Sequence, residues 1–259
     1  SLLGDGTATN PVIVANNVIY KINQGGASSG IYVSAGLYNL IYHNTVSFDQ
    51  VLSGTAINYG IYTTGTNTGT DIINNLVSIT AGSGGIKYGF YYNTAPSANT
   101  AQKNNFYLNS TQAGVQNYGY YTTAYLTQAA FQAAYPALEP GSPAVDPQFT
   151  SLATGNLRPG NPLLFSAGNN VLATVPNDIN NTPRTMTPTI GAFQHVAITM
   201  NDAQTQAILN PTGNICATSS PVEVIIKNAG ANNITNLVVN WSLNGVAQTA
   251  TNYTATLVT

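Results

Sequence analysis

Charged side chains are scarce in this 259-residue sequence: six Lys or Arg and eight Asp or Glu, 5% of the total. An ordinary soluble domain carries roughly 25%. The basic footprint that nucleic acid or anionic lipid would require is missing, so nucleic acid is excluded as the main partner. One cysteine, Cys216, cannot close an internal disulfide. No apolar run approaches the ~20 residues of a membrane-spanning helix, and the first residues lack the charged segment and apolar core of a signal peptide. That start reads as a mature or excised piece. Asn and Thr supply the polarity that charge does not, which points to an extracellular surface insensitive to pH and salt.

Two sequence columns repeat in register. Gly followed by apolar or aromatic residues recurs at Gly30-Ile31-Tyr32, Gly60-Ile61-Tyr62, Gly89-Phe90-Tyr91 and Gly119-Tyr120-Tyr121, at spacings of 30, 29 and 30. Beside it runs Asn16-Asn17, His43-Asn44, Asn74-Asn75 and Asn104-Asn105, each pair followed by a short apolar or β-branched stretch. Such segments between Gly, Asn, Ser and Thr clusters are strands. A period near 30 is one coil of a parallel β-helix, three short strands and three turns. Coils stack at about 4.8 Å, so equivalent residues lie above one another. Asn17, Asn44, Asn75 and Asn105 are then expected to form one amide ladder, since an amide both donates and accepts. Gly30, Gly60, Gly89 and Gly119 fit a tight entry into the following strand.

Alternation within that strand matters for function. With Ile31, Ile61, Phe90 and Tyr120 pointing inward, Tyr32, Tyr62, Tyr91 and Tyr121 point outward as an aromatic ladder. Three readings stay open: a ladder covered by a loop or tail, a stacking surface for sugar rings or a partner, and the reverse parity. Tyr59, Tyr88 and Tyr118 share the inward parity, which crowds the interior unless the Gly makes a bulge.

Past residue 125 the pattern changes. Residues 126–135, LTQAAFQAAY, have helical spacing and end at Pro136. Then come DPQF (146–149), NLRPGNPLLFSAGN (156–169), NDINNTPR (177–184) and TIGAF (189–193). Together with the Asn-pair repeats, this order over about residues 10–195 resembles the pectate-lyase-fold, right-handed parallel β-helix surface proteins of the Bacteroidota. The resemblance implies a cell-surface location, export by dedicated secretion machinery, and a tail that completes and closes the last coils. Such tails usually carry an acidic residue before Ile-Gly-Ala, where Thr189 stands here.

Residues 196–259 read as alternating strands, and VEVIIKNAGANNITNLVVNWSLNG (222–245) resembles the immunoglobulin-like adhesion modules of bacterial surface proteins. A complete sandwich needs about 100 residues, so this one reads as incomplete, leaving room beyond it for a partner of Cys216. Trp241 is expected in its core. The organisation expected is therefore all-β: coils over 1–125, helix and closing tail over 126–195, and a truncated sandwich over 196–259.

Catalytic chemistry finds little support. A β-helix lyase needs carboxylates clustered on one face to hold Ca²⁺ and a nearby Lys or Arg. Residues 6–138 hold only Asp49 and Asp71, and no charge repeats its register through Lys21, Lys87 and Lys103. Asp71 and Lys103 are read as a surface ion pair, and His43 as a structural replacement of an Asn in the ladder. No Gly-x-Ser-x-Gly elbow or zinc-spaced Cys/His set is present. No cofactor or metal is expected. Thr63-Thr64 and Thr122-Thr123 suggest an ice-binding array, but Val33-Ser34 and Tyr92-Asn93 interrupt it. The expectation is a non-catalytic structural or adhesive segment meeting a surface polysaccharide, another cell-surface protein, or copies of itself. The alternative is a carbohydrate-binding or polysaccharide-degrading module.

Overall fold

The structure, a computed structural model, describes residues 5–93, 101–196, 201–211 and 219–258. Cys216 lies outside them. The chain divides into two units, residues 1–195 and 196–259.

The first unit is a parallel β-solenoid of four coils. Coil one contributes β1 (Val12–Ala15), β2 (Val18–Ile19) and β3 (Ser28–Ser34); coil two β4 (Asn39–Tyr42), β5 (Thr45–Phe48) and β6 (Asn58–Thr64). Coil three contributes β7 (Asp71–Ile73), β8 (Leu76–Ile79) and β9 (Lys87–Tyr92); coil four β10 (Ala101–Gln102), β11 (Asn105–Leu108) and β12 (Gln116–Tyr121). They stack into three parallel sheets, β1-β4-β7-β10, β2-β5-β8-β11 and β3-β6-β9-β12. Stacked side chains fill the interior: Ile41 lies level with Ile72, Val46 with Val77 and Phe106, and Phe48 with Ile79. All of them are buried in one cluster.

The last coil needs a cap, because its strands would otherwise offer an unpaired edge. β13 (Thr123–Tyr125) folds back antiparallel on β12, and α1 (Gln128–Ala134) follows. Thr127 caps α1, its hydroxyl accepting from the Ala130 N–H at 3.2 Å. Phe131, fully buried, seats the helix on Phe90, Tyr118 and Tyr125.

The glycine column has a different cause from the one its spacing suggested. None of Gly30, Gly60, Gly89 or Gly119 has a positive φ. A Cβ on Gly30 would overlap Val46, one on Gly60 would overlap Val77, and one on Gly89 would come within 2.9 Å of Phe106 Cβ. These positions face inward directly before another inward residue, so only a missing side chain lets the third sheet approach the second. The doubling resets the alternation. Tyr59 and Tyr88 therefore share the outer side with Tyr62 and Tyr91, and only Tyr118 turns in.

The tail was expected to complete the last coils; instead it runs back along the outside of the solenoid. Residues Glu139–Val145 hold coil four through Asn104 and Asn105. Leu164 and Ile190 bury Leu76 of coil three. Ala192 N donates to Thr45 Oγ1 of coil two, and Leu157 and Phe193 pack near Val18 of coil one. This explains why Thr45, Ser47 and Ser78, which alternation turns outward, are nonetheless buried. At the departure from the acidic pattern, the Thr189 hydroxyl donates to Phe165 O and accepts from His195 N, both at 2.9 Å.

The second unit is mostly β, with three two-stranded antiparallel ladders among its described residues. β14 (Ala203–Asn210) pairs β15 (Glu223–Asn228), β16 (Leu237–Val239) pairs β19 (Thr251–Tyr253), and β17 (Ser242–Leu243) pairs β18 (Val246–Ala247). The turn of the last hairpin, Asn244-Gly245, has positive φ at both positions, which matches strand twist. Trp241 is half-buried rather than enclosed in a core. Its indole N–H donates to Thr249 O at 3.0 Å, and it lines an apolar cleft of about 710 Å³ with Val224, Ile226, Leu237 and Tyr253.

Candidate functional site

Two features distinguish the first unit chemically: an asparagine corner between the first and second sheets, and a tyrosine face on the third.

At the corner each Asn pair divides its work. The first residue of each turn is left-handed: Asn16, His43, Asn74 and Lys103 have φ between 54° and 61°. The side chains of the first three bind the tail. Asn16 Nδ2 donates to Asn177 O, and Arg184 Nη2 donates to Asn16 Oδ1 at 2.7 Å. Asn74 Nδ2 donates to Asn169 O at 2.8 Å and its Oδ1 accepts from Asn169 N. His43 Nδ1 bonds Gly191 O at 3.2 Å and Nε2 accepts from Asn74, which fixes a neutral ring. Burial, reinforced by the Arg184 guanidinium, holds His43 down at about 3.

The second residue of each turn makes the ladder. Asn17 Nδ2 donates to Asn44 Oδ1 at 2.8 Å, Asn44 to Asn75 at 2.9 Å, and Asn75 to Asn104 at 3.0 Å. The fourth rung is thus Asn104, not Asn105. In coil four Lys103 takes the left-handed corner, which shifts the pair by one position. Asn105 instead lies level with Leu76, and its amide zips to the backbone of Val145, donating to O and accepting from N. The shift also places Lys103 level with Asn74 rather than beside Asp71, which accepts from the Tyr42 hydroxyl at 3.0 Å.

Glu139 ends the ladder. Its carboxylate, 0% exposed, accepts from Asn104 Nδ2, the Tyr92 hydroxyl and the Ser142 hydroxyl, the last two at 2.6 Å. Burial raises it to about 7 even though all three donors favour the charge. Every amide in the ladder points its N–H toward this carboxylate, a row of aligned dipoles suited to holding an anion. Spacing alone missed Glu139, Ser142 and Tyr92. The signal was there: Glu139 is one of two glutamates in the chain.

Lys87 is 0% exposed as well. Its ammonium donates to the carbonyls of Ser83 (2.6 Å), Gly85 (3.0 Å) and Ala113, and burial lowers its pKa. Three backbone oxygens thus hold it inside a turn, where it fastens coil three to coil four. Among the described residues no group of three or more His, Cys, Asp and Glu is arranged to hold a metal ion.

The tyrosine face is built by register. Tyr32, Tyr62, Tyr91 and Tyr120 are level on successive strands. The fourth member is Tyr120 rather than Tyr121, because Gly119 sits level with Phe90. A Cβ at 119 would overlap the Phe90 ring, so the glycine makes room for it. Tyr121, now level with Tyr92, packs on Tyr135 instead. Tyr62 lies near-parallel to Tyr32 (5.0 Å between centroids) and to Tyr59 (4.5 Å), and Tyr59 continues to Tyr88. Tyr91 meets Tyr59, Tyr62 and Tyr88 edge-on and stacks on Tyr120. Five of the six rings are half-buried, and Tyr88 is buried. Much of the ring-face area is thus used between the rings; the Tyr32 hydroxyl lies 3.3 Å from Thr64 Oγ1, and the Tyr120 hydroxyl donates to Thr122 O at 3.3 Å. Burial raises the phenol pKa of Tyr59, Tyr62, Tyr88 and Tyr91, so they are neutral hydrogen-bonding groups.

The chain matches no protein-family model, no curated protein and no solved structure. The likeness to Bacteroidota surface proteins rests on the motifs alone.

Proposed function

We propose that this chain is a non-catalytic structural or adhesive segment of a large secreted bacterial cell-surface protein. In this reading the solenoid is a right-handed parallel β-helix, and the second unit belongs to an immunoglobulin-like adhesion module. The observation that carries it is where charge resides. Lys87, Glu139, Asp178 and Arg184 are buried and bonded between coils or within the tail, whereas the open face of the third sheet carries uncharged tyrosines. Such a face favours polar, uncharged partners: a surface polysaccharide, another cell-surface protein, or a second copy. The motif resemblance supports export by dedicated secretion machinery.

The six-tyrosine cluster favours a second reading, a carbohydrate-binding module of the same fold. One experiment separates these readings and tests both against catalysis. The purified chain is incubated with pectin, alginate and neutral glycans, with and without Ca²⁺, and retention and cleavage are followed together. No unsaturated or reducing-end products are expected. Retention of a neutral glycan favours the second reading. Cleavage that disappears in Asp71→Ala or Lys103→Ala overturns the non-catalytic one.

A further inference from the structure

The tyrosine face holds a pair whose geometry goes beyond packing. Tyr91 and Tyr120 are level on adjacent parallel strands, and their ring centroids are 4.0 Å apart with planes within 1°. Among the described residues this is the shortest tyrosine–tyrosine approach; the next, Tyr59–Tyr62, is 4.5 Å at 13°. Both side chains are half-exposed, which leaves them open to a small oxidant. Burial, with the Tyr120 hydroxyl beside it, keeps Tyr91 a neutral phenol that loses its proton together with its electron.

We propose that Tyr91 and Tyr120 form an oxidative cross-linking site, in which a peroxide and a peroxidase-type catalyst join the two rings as dityrosine and staple coil three to coil four. The chemistry balances. Each phenol gives up one electron and one proton, leaving a phenoxyl radical with spin on the carbons beside the oxygen. Two such carbons, one from each ring, form a carbon–carbon bond. Each then returns its ring hydrogen to the phenol oxygen, restoring both aromatic rings. The two electrons and two protons reduce one hydrogen peroxide to two waters. Register brings the two rings together: level residues on parallel strands stack them face to face at 4.0 Å, within 1° of parallel. The other exposed arrangements are less suited. Tyr32 and Tyr62 stand 5.0 Å apart at 22°, and Tyr121 meets Tyr135 at 62°. Tyr92 and Tyr118 are buried, and the Tyr92 hydroxyl is committed to Glu139.

The consequence is mechanical. Coil four carries the capping β13 and α1, so fraying of the solenoid from that end begins with β12 leaving β9. A bond between residues 91 and 120 keeps these strands together, and unfolding slows.

The test uses the full chain with dilute hydrogen peroxide and a peroxidase. Dityrosine fluorescence should appear, the chain should lose two hydrogen atoms in mass, and peptide mapping should join the segments holding Tyr91 and Tyr120. The rate should not depend on protein concentration. Tyr91→Phe and Tyr120→Phe, which keep the rings, should each abolish this product. Denaturant unfolding of the cross-linked chain should be at least tenfold slower. The map of the unsubstituted chain decides the matter even where a variant folds poorly. Cross-links mainly between other tyrosines, cross-links only between chains, or no dityrosine would each overturn the proposal.

Discussion

Asn104 donates its side-chain amide to both oxygens of Glu139, at 3.2 and 2.9 Å, so a ladder of neutral amides ends on an ionisable group. The two came together although 35 residues separate them in the chain. Coil four supplies the amide, and the turn after α1 supplies the carboxylate. The end of the repeat is thereby marked chemically: no fifth amide follows Asn104, and the dipoles of the four amides converge on a buried acid.

The ladder predicts a gradient of mutational cost. Asn75 bonds Asn44, Asn104 and the Ile41 carbonyl, all buried, so Asn75→Ala strands several polar groups at once. Each buried orphan costs about 1–3 kcal/mol, which puts the loss at roughly 3–5 kcal/mol. Asn17, at the open end, should cost about 1 kcal/mol on the same basis. Urea titration of both variants measures the difference, and equal losses would remove the ladder from the account of stability.

Glu139 and His43 should oppose one another in pH dependence. Glu139 rises from 4.5 to about 7 on folding, so its contribution is fully present below 4.5 and is lost as pH rises toward 7. His43 falls from 6.5 to about 3, so its contribution is present above 6.5 and is lost as pH falls toward 3. Between about 4.5 and 6.5 the folded state gains one proton at Glu139 and forgoes one at His43, and stability should be nearly flat. Glu139→Gln should expose the acid-side loss, about 1.4 kcal/mol per pH unit. His43→Asn, which restores the residue found at the neighbouring turns, should expose the opposite slope. Denaturation midpoints between pH 4 and 8 test this; a flat profile in both variants would show that neither group titrates with folding.

Repeat, coil architecture and strand order were legible because a stacked coil imposes the same demands at every turn. Coil four escaped because its demands differ. With no coil above it, the Asn pair slides one position, Lys103 enters the left-handed corner, and Gly119 yields its place to the Phe90 ring. A gap-free alignment of columns therefore gave Asn105 and Tyr121 where the structure has Asn104 and Tyr120. The outer column of Asn16, His43 and Asn74 was visible as sequence, but its purpose was not, since its partners lie up to 168 residues away in the tail. Burial of Lys87 could not be read at all, because its partners are backbone carbonyls that no side-chain pattern marks.

The slip at Gly119 is testable by a double substitution. Gly119→Ala should destabilise the solenoid by about 1–3 kcal/mol, the usual range for overpacking, because the new methyl meets the Phe90 ring. The three atoms nearest that methyl all belong to Phe90, so once Phe90→Leu has taken its own cost as a lost buried ring, Gly119→Ala should add little further loss. The same second change added to Gly60→Ala should recover nothing, since there the methyl meets Val77 and the Gly89 carbonyl. Thermal unfolding of the five variants, Phe90→Leu alone included, reads the coupling directly. Additive losses at 119 and 90 would place the clash elsewhere.

The tyrosine face makes a prediction that divides stability from binding. Tyr62 touches Tyr32, Tyr59 and Tyr91 at 5.0, 4.5 and 5.2 Å. Ring pairs contribute about 0.5–1.5 kcal/mol each beyond the area they bury. Tyr62→Ala should therefore cost about 2–3 kcal/mol even though the residue is half-exposed, because it opens the centre of a mutually packed cluster. Tyr62→Phe keeps every ring contact and should lie within ~0.5 kcal/mol of the parent, the usual range for surface changes. The phenylalanine variant is consequently the correct probe of contact with a partner, and the alanine variant is not. If hydroxyls and ring edges make the adhesive contact, Tyr62→Phe combined with Tyr91→Phe should weaken retention on a neutral glycan or partner surface while leaving the melting curve in place. Undiminished retention would move the contact off this face, and the open apolar cleft around Trp241 in the second unit becomes the surface to test. A neutral Tyr62→Ala melt would instead mean that the rings stand independently, which the near-parallel Tyr59 and Tyr62 planes, 13° apart, argue against.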